Sequence, residues 1–373
     1  MHLISLPGHR GLSAVTRAEI ADPFRVGESG PQLRPSSVAA GLTLADDRDA
    51  ADVWALPCHW QSLDDEGRRQ ARRCFDQAHA ASKPIVVWTV GDLESALDHP
   101  AVIRFQLGGS RTRKSPAFGV HAYPPFIDDE LGAREHGIVS THPWTDRPRV
   151  GFCGQGRSRV PIEAKTLANK ARTRLAHRTG PGDKRVGEPW TSHLRLRQRA
   201  LAHLQDHPKV AADFVIHDSY RAGLRSKADR RDTDHPTRVQ FFENLRTNDY
   251  ALCVRGGGNF SIRLFEALCY GRVPIIVDSG GRLPLEDEID WDSYSIRVPA
   301  RRLHALGDLV SETHHRLGPA GLHRLQRECR NLWVARLCLD AYMADWPGIL
   351  ARNIANSPSS ERADTPDRVA GMQ

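Results

Sequence analysis

Short apolar runs alternate with charged, amphipathic stretches along most of the chain. This is the pattern of strands buried on both faces and joined by helices. Asp52–Leu56 predicts a buried strand ending at Pro57, and Leu63–Ala81 a helix carrying Arg68, Arg69, Arg72 and Arg73. Ile85–Val90 predicts a second strand, closed by Gly91-Asp92, and Val102–Leu107 a third before Gly108-Gly109. Strand, helix and strand at this spacing imply a parallel sheet with crossover helices. Residues 1–50 show only one readable element, a short strand at Leu3–Leu6.

Ser110–Arg147, rich in Pro, Gly and His, reads as an irregular link. A second series opens with a strand at Arg149–Cys153, turning at Gly154-Gln155-Gly156. A basic helical stretch follows over 160–206, broken at Gly180-Pro181-Gly182. Strands are expected at Asp213–His217, Tyr250–Val254, Val273–Val277 and Ser295–Val298, and short helices at Val239–Leu245 and Phe260–Tyr270. Residues 218–237 form a charged connection. Two helices, Arg301–Leu317 and Gly321–Trp346, close the series, and the tail after Asn356 is expected to be disordered. The implied division is 1–147, 148–355 including the closing helix, and a tail at 356–373. Two Rossmann-like domains would then face a cleft, with ligand at the carboxyl ends of the strands.

Composition adds limits. The 373 residues are 26% charged and 40% hydrophobic, an ordinary globular balance that excludes fibrous and wholly disordered classes. Net charge is +7, and 45 of the 52 basic residues are arginine. A GC-biased coding sequence produces such an excess, as does a nucleic-acid or phosphorylated partner. No apolar run approaches the roughly 18 residues of a membrane span, and the start MHLISLPGHRGL does not read as a secretory signal. The seven cysteines are scattered without a C-x-x-C, which points to a reducing, cytoplasmic setting.

The chemistry concentrates in Asp249–Asp278. The Tyr250–Val254 strand runs into Arg255, three glycines (Gly256, Gly257, Gly258), Asn259, Phe260, Ser261 and then a helix. Glycines at a strand–helix turn let backbone approach a ligand, and the helix start offers free N–H groups to a phosphate. Arg255 and Arg263 could neutralise a diphosphate. Glu266 shares a helix face with Arg263 and is placed to hold a ribose diol. Asp278 ends the next strand in the same crevice. The loop lacks the Gly-Lys-Ser/Thr of a P-loop and the spacing of G-x-G-x-x-G.

The run Tyr250, Leu252, Cys253, Arg255-Gly256, Gly258, Ser261, Arg263, Glu266-Ala267, Gly271, Pro274, Ile276 and Asp278 resembles the exostosin glycosyltransferase signature, as do the following Leu283-Pro284, Ile289-Asp290-Trp291 and Ser295. The match is good over about 60 residues from Phe241 to Val298, looser at Val87–Asp92 and Arg149–Gly154, and absent from 1–50 and 157–210. The resemblance implies an α/β, GT-B-like fold with a C-terminal helix packing back, and a nucleotide-sugar donor, often UDP-linked, on the second domain. It implies an inverting hexosyl transfer to a glycan or small-molecule hydroxyl; the arginines and backbone N–H groups of the loop point to transfer without metal, with a divalent metal left open. Gly154, Arg255, Gly256–Gly258, Asn259, Ser261, Arg263, Glu266 and Asp278 would hold the donor. Animal members carry an N-terminal membrane anchor, so this chain is similar to the shorter soluble bacterial forms, cytoplasmic or peripheral to a membrane. No cofactor is implied beyond the donor, which is itself a substrate.

The first domain should supply a general base. Asp92 is the first candidate, ahead of His59 and His121. Three D-x-D patterns occur, at Asp47-Arg48-Asp49, Asp232-Thr233-Asp234 and Asp290-Trp291-Asp292, too many for the manganese signature of GT-A transferases to discriminate. His314-His315 reads as a surface pair. Two other readings stay open: a non-catalytic GT-B scaffold, and a nucleic-acid binder using Arg68–Arg73, Arg111–Lys114 and Arg221–Arg231. Few aromatic residues lie beside those clusters to stack on bases, and no nucleic-acid partner is expected.

Overall fold

A computed structural model describes residues 1–5, 23–27, 30–92, 97–111, 119–156, 192–219 and 234–355. The expected tail, the Gly180-Pro181-Gly182 break and the Arg221–Arg231 cluster lie outside them.

The first half builds a parallel sheet of β1 (His2–Ser5), β4 (Thr43–Leu44), β5 (Val53–His59), β6 (Ile85–Thr89), β7 (Val102–Leu107) and β8 (Val120–Tyr123), in the order β4-β1-β5-β6-β7-β8. A small antiparallel pair, β2 (Phe24–Gly27) with β3 (Gly30–Leu33), precedes the short helix α1 (Pro35–Ala39). Alternation along the strands sorts side chains onto two faces. Val53, Ala55, Val86, Trp88, Ile103 and Phe105 enter one core, and Trp54, Leu56, Cys58, Ile85, Val87 and Val102 the other. The second core is covered by α2 (Asp65–Ala80), which buries Gly67, Ala71, Phe75 and Ala78, a helical spacing. Asp64 caps α2, its carboxylate accepting the Gly67 N–H at 2.7 Å.

Pro57 does not end β5. The strand continues to His59 across a register shift between Ala55 and His59, and a bulge is where a sheet accepts a residue without an N–H. The stretch expected to be an irregular link contains β8 and the helix α3 (Glu130–Glu135).

The second sheet is also parallel, with β9 (Arg149–Gln155), β10 (Ala211–His217), β11 (Tyr250–Cys253), β12 (Val273–Asp278) and β13 (Ile296–Pro299) in the order β10-β9-β11-β12-β13. It is packed by α4 (His193–Gln205), α5 (Pro236–Thr247), α6 (Ile262–Cys269) and α7 (Leu306–Leu332). The order reverses at β9, which pairs with β10 over its whole length but with β11 only at Val150 and Gly151. The two strands therefore part toward their carboxyl ends, and a crevice opens at this switch point.

A π-helical turn, Trp333–Leu337, breaks the predicted Gly321–Trp346 helix. The chain then returns to the first sheet as α8 (Leu339–Ala355), whose Tyr342, Met343, Trp346, Ile349 and Leu350 bury with Trp88 and Phe105. By its buried residues α8 belongs to the first core. Two Rossmann-like sheets facing a cleft, with a helix packing back, make this a GT-B-like architecture.

Candidate functional site

The carboxyl-end loops of the two sheets meet. Ser110 and Gly281 form an antiparallel bridge, flanked by Arg111 N–H to Gly280 C=O (3.0 Å) and Arg282 N–H to Gly109 C=O (2.9 Å). Asn259 joins in, accepting the Ser279 hydroxyl at 2.7 Å and donating to the Gly109 carbonyl at 3.4 Å. Gly108 must lack a side chain, since a Cβ there would stand 2.7 Å from the Asn259 carbonyl oxygen.

A cavity of about 730 Å³ lies between the halves. Of the sequence-predicted residues, Asp92, Gly154, Gly256, Gly257, Ser261, Arg263 and Glu266 line it. Arg255, Asn259, Asp278 and again Ser261 line a smaller neighbouring cavity of about 50 Å³. Gly258 lies behind, where a Cβ would meet the Phe260 ring at 2.6 Å. His59 is buried and His121 lies beside the Phe105 ring, and neither lines either of these two cavities.

The helix α6 presents Arg263, Glu266 and Tyr270 along one wall of the large cavity, because positions three and four apart share a face. Its other face, Leu264, Phe265 and Leu268, is buried in the core. Ser261 is the N-cap residue and makes no side-chain cap bond. The Arg263 guanidinium lies 4.3 Å over the Phe152 ring and donates to the Cys153 carbonyl, while its Nε is buried without a partner among the described residues. Gly154 is what lets Arg263 in, since a Cβ would stand 2.8 Å from a guanidinium nitrogen.

Arg255 is 3% exposed and donates to the adjacent Gly256 carbonyl at 3.2 Å. Asp278 is held by Arg111 at 2.5 Å, Arg297 at 3.0 Å and the Gly280 N–H at 2.8 Å. Burial alone would raise its carboxyl. The bonds from Arg111, Gly280 and Arg297 and the Arg111 charge outweigh that and hold it below the usual carboxylate range.

The structure adds Arg197, His193, His217 and Arg238 to the cavity wall, with Phe126, Phe241 and Phe242. No motif in the sequence marks them. They come from β10, from helices α4 and α5 and from the loop before α3, and only folding brings them beside the glycine loop. Cys153 also faces the cavity, but burial pushes its thiol up to about 11, so it stays protonated at neutral pH.

Two expected features take other roles. Asp290 caps a short turn, its carboxylate accepting the Asp292 N–H and the Ser293 hydroxyl, and Asp292 pairs with Arg297. Among the described residues no group of three metal-ligating side chains is found. His314, expected at the surface, is buried: its ring stacks on Trp144 at 3.8 Å, Tyr250 hydroxyl lies 3.0 Å from Nδ1, and Nε2 donates to the Thr145 carbonyl at 2.8 Å. Arg68 and Arg72 of the basic cluster on α2 lie over the Trp60 ring. Among the described residues no helix is long and apolar enough to cross a membrane.

Residues 187–313 match the family model described as the exostosin GT47 domain. A probable glycosyltransferase of Arabidopsis thaliana is 26% identical over 50% of this chain and 36% of its own length. The Exostosin-1 homolog of Caenorhabditis elegans is 31% identical over 29% of this chain and 27% of its own length. The chain therefore spans about a third of these relatives. Among solved structures, a glycosyltransferase from Rickettsia africae is similar at 9% identity, covering 95% of this chain and 99% of that one, with a TM-score of 0.34. The matched segment, residues 187–313, holds β11, the glycine loop, α6 and β12, which line the two cavities, and over it the chain is similar to the exostosin GT47 domain.

Proposed function

We propose that the chain is a glycosyltransferase that moves a sugar from a nucleoside-diphosphate-sugar donor, UDP-linked first among the choices, to a hydroxyl of a glycan or small acceptor. The observation that carries this reading is the convergence of Gly256, Gly257, Ser261, Arg263 and Glu266 on one cavity, with Asp92 facing them from the other sheet. The backbone amides at the start of α6 and the Arg263 cation stabilise the departing nucleoside diphosphate. Glu266, one turn on, accepts from the ribose hydroxyls. Asp92 takes the proton of the acceptor hydroxyl as it attacks.

Side-chain cations placed at the leaving group support transfer without a divalent metal. A base on the side opposite the donor wall supports an inverting course. Within this reading the donor domain is the second sheet, from residue 148, and α8 completes the acceptor-side domain. A thermal-shift screen against UDP-, GDP- and CMP-sugars tests the proposal: UDP- or GDP-sugars should raise the melting temperature and release UDP or GDP on turnover, whereas a shift with CMP-sugars alone, which release a monophosphate, would count against a diphosphate donor. No shift with any donor would count against it.

A further inference from the structure

We infer that Arg197, and not Arg255, is the partner of Arg263 in binding the diphosphate. The inference rests on the nucleotide-sugar reading of the same cavity and names a residue that lies outside the glycine loop and the Tyr250–Ser295 run.

The argument begins at the switch point. Because β9 and β11 part after Gly151, the carbonyl groups at their carboxyl ends are not satisfied by each other. Arg197, reaching in from α4, donates to the Gln155 carbonyl at 2.7 Å and to the Arg255 carbonyl at 3.2 Å. A single planar guanidinium thus spans the crevice. The same group lies 5.7 Å over the Phe152 ring, which also carries the Arg263 guanidinium at 4.3 Å. Both arginines line the large cavity. Arg255, between them in sequence, is buried and lines the smaller one.

Two cations gathered over one ring in a partly desolvated site repel each other. An anion with oxygens on two phosphorus atoms relieves that repulsion and accepts from both forks. The strand-end carbonyls fix the plane of Arg197 before ligand arrives, so little side-chain freedom is lost on binding. Arg263 is set in the same way by the Cys153 carbonyl. The ligand class this arrangement fits is a nucleoside diphosphate seated across the β9–β11 crevice, with Glu266 beyond it.

The test compares UDP with uridine and GDP with guanosine by isothermal titration, using the wild-type chain, Arg197→Gln and Arg197→Lys, with thermal melts to check that each variant is folded. The expected result is a loss of about 10- to 100-fold in diphosphate affinity for Arg197→Gln, the range of a lost charge-assisted bond, with nucleoside affinity unchanged. Arg197→Lys, which keeps the charge but cannot bridge both carbonyls, should fall between. Wild-type binding of a diphosphate that Arg197→Gln leaves intact, or an equal loss of nucleoside and diphosphate, would overturn the role of Arg197 alone. Failure of the wild-type chain to bind either diphosphate would instead remove the nucleotide-sugar reading, and this assignment with it.

Discussion

Asp92 of the first sheet stands against Gly257 of the second, so closely that a Cβ on Gly257 would meet the carboxylate oxygen at 2.6 Å. The proposed base and the glycine loop are therefore in direct contact, and any Cβ at this position would displace the carboxylate. Replacing Asp92 with Asn should lower kcat by about 10²- to 10⁴-fold, the usual worth of a general base, while the Kd for UDP stays within a few-fold. Gly257→Ala should push the carboxylate aside and lower kcat more than it weakens UDP. Equal loss of turnover and binding in Asp92→Asn would show that the residue holds the cleft rather than the proton.

Arg263 is expected to matter through binding. Its truncation to Ala removes the cation over Phe152 and the bond to the Cys153 carbonyl. UDP affinity should fall by about 10- to 100-fold, from a charge-assisted bond worth about 1.5–3 kcal/mol. Titration calorimetry reads this directly. Unchanged affinity would place the diphosphate elsewhere.

His314 predicts acid sensitivity. Burial lowers its basicity below the ordinary histidine range, although the Thr145 carbonyl opposes this. The carbonyl accepts from Nε2, so Nδ1 accepts the Tyr250 hydroxyl and the ring is neutral. The unfolded chain then binds this proton more readily than the folded one, and the ring's contribution to stability is present above about pH 6.5 and declines as pH falls below it. Denaturant melts from pH 8 to pH 5 should show the decline. His314→Phe should flatten this component of the slope while costing about 1–3 kcal/mol for each polar partner left buried and unpaired.

Asp278 should act as a latch between the halves, through Arg111 on the first-sheet side and Arg297 on its own. Its carboxyl is held low, so the latch is present above the ordinary carboxylate value of about 3.9 and is lost as pH falls through the lower folded value. Arg111 is a third exposed, so salt should weaken the pair. Asp278→Asn is expected to increase the radius of gyration in small-angle scattering at low salt. An unchanged radius would assign closure to the Ser110–Gly281 bridge alone.

The cavity-lining segment of β11, the glycines, α6 and β12 was legible because these elements are contiguous, and each reports its own geometry in composition. Strands such as β6 and β7 were legible because both faces are buried and the run is continuously apolar. Arg197 was not, because its role depends on two strand ends parting, a tertiary event without a local signal. The four-residue β8 and six-residue α3 are too short to impose a period on a stretch full of Pro and Gly. His314 was misread because charge and adjacency to His315 suggested solvent, whereas Trp144, distant in sequence, covers it. Gly318, at a φ of 60°, kinks α7 between the two helices the sequence divides there, and a second break, at Trp333–Leu337, carries no Gly or Pro to mark it.

The returning helix has a consequence for biosynthesis. Trp88 and Phe105 of the first sheet are covered by Trp346, more than 240 residues later in the chain. During translation the second sheet has all of its strands before α8 leaves the ribosome, whereas the first sheet waits with an apolar face uncovered. Domains commonly complete in N-to-C order. Here the half that is made first is finished last, and its exposed Trp88 face is the surface a chaperone would have to guard until then.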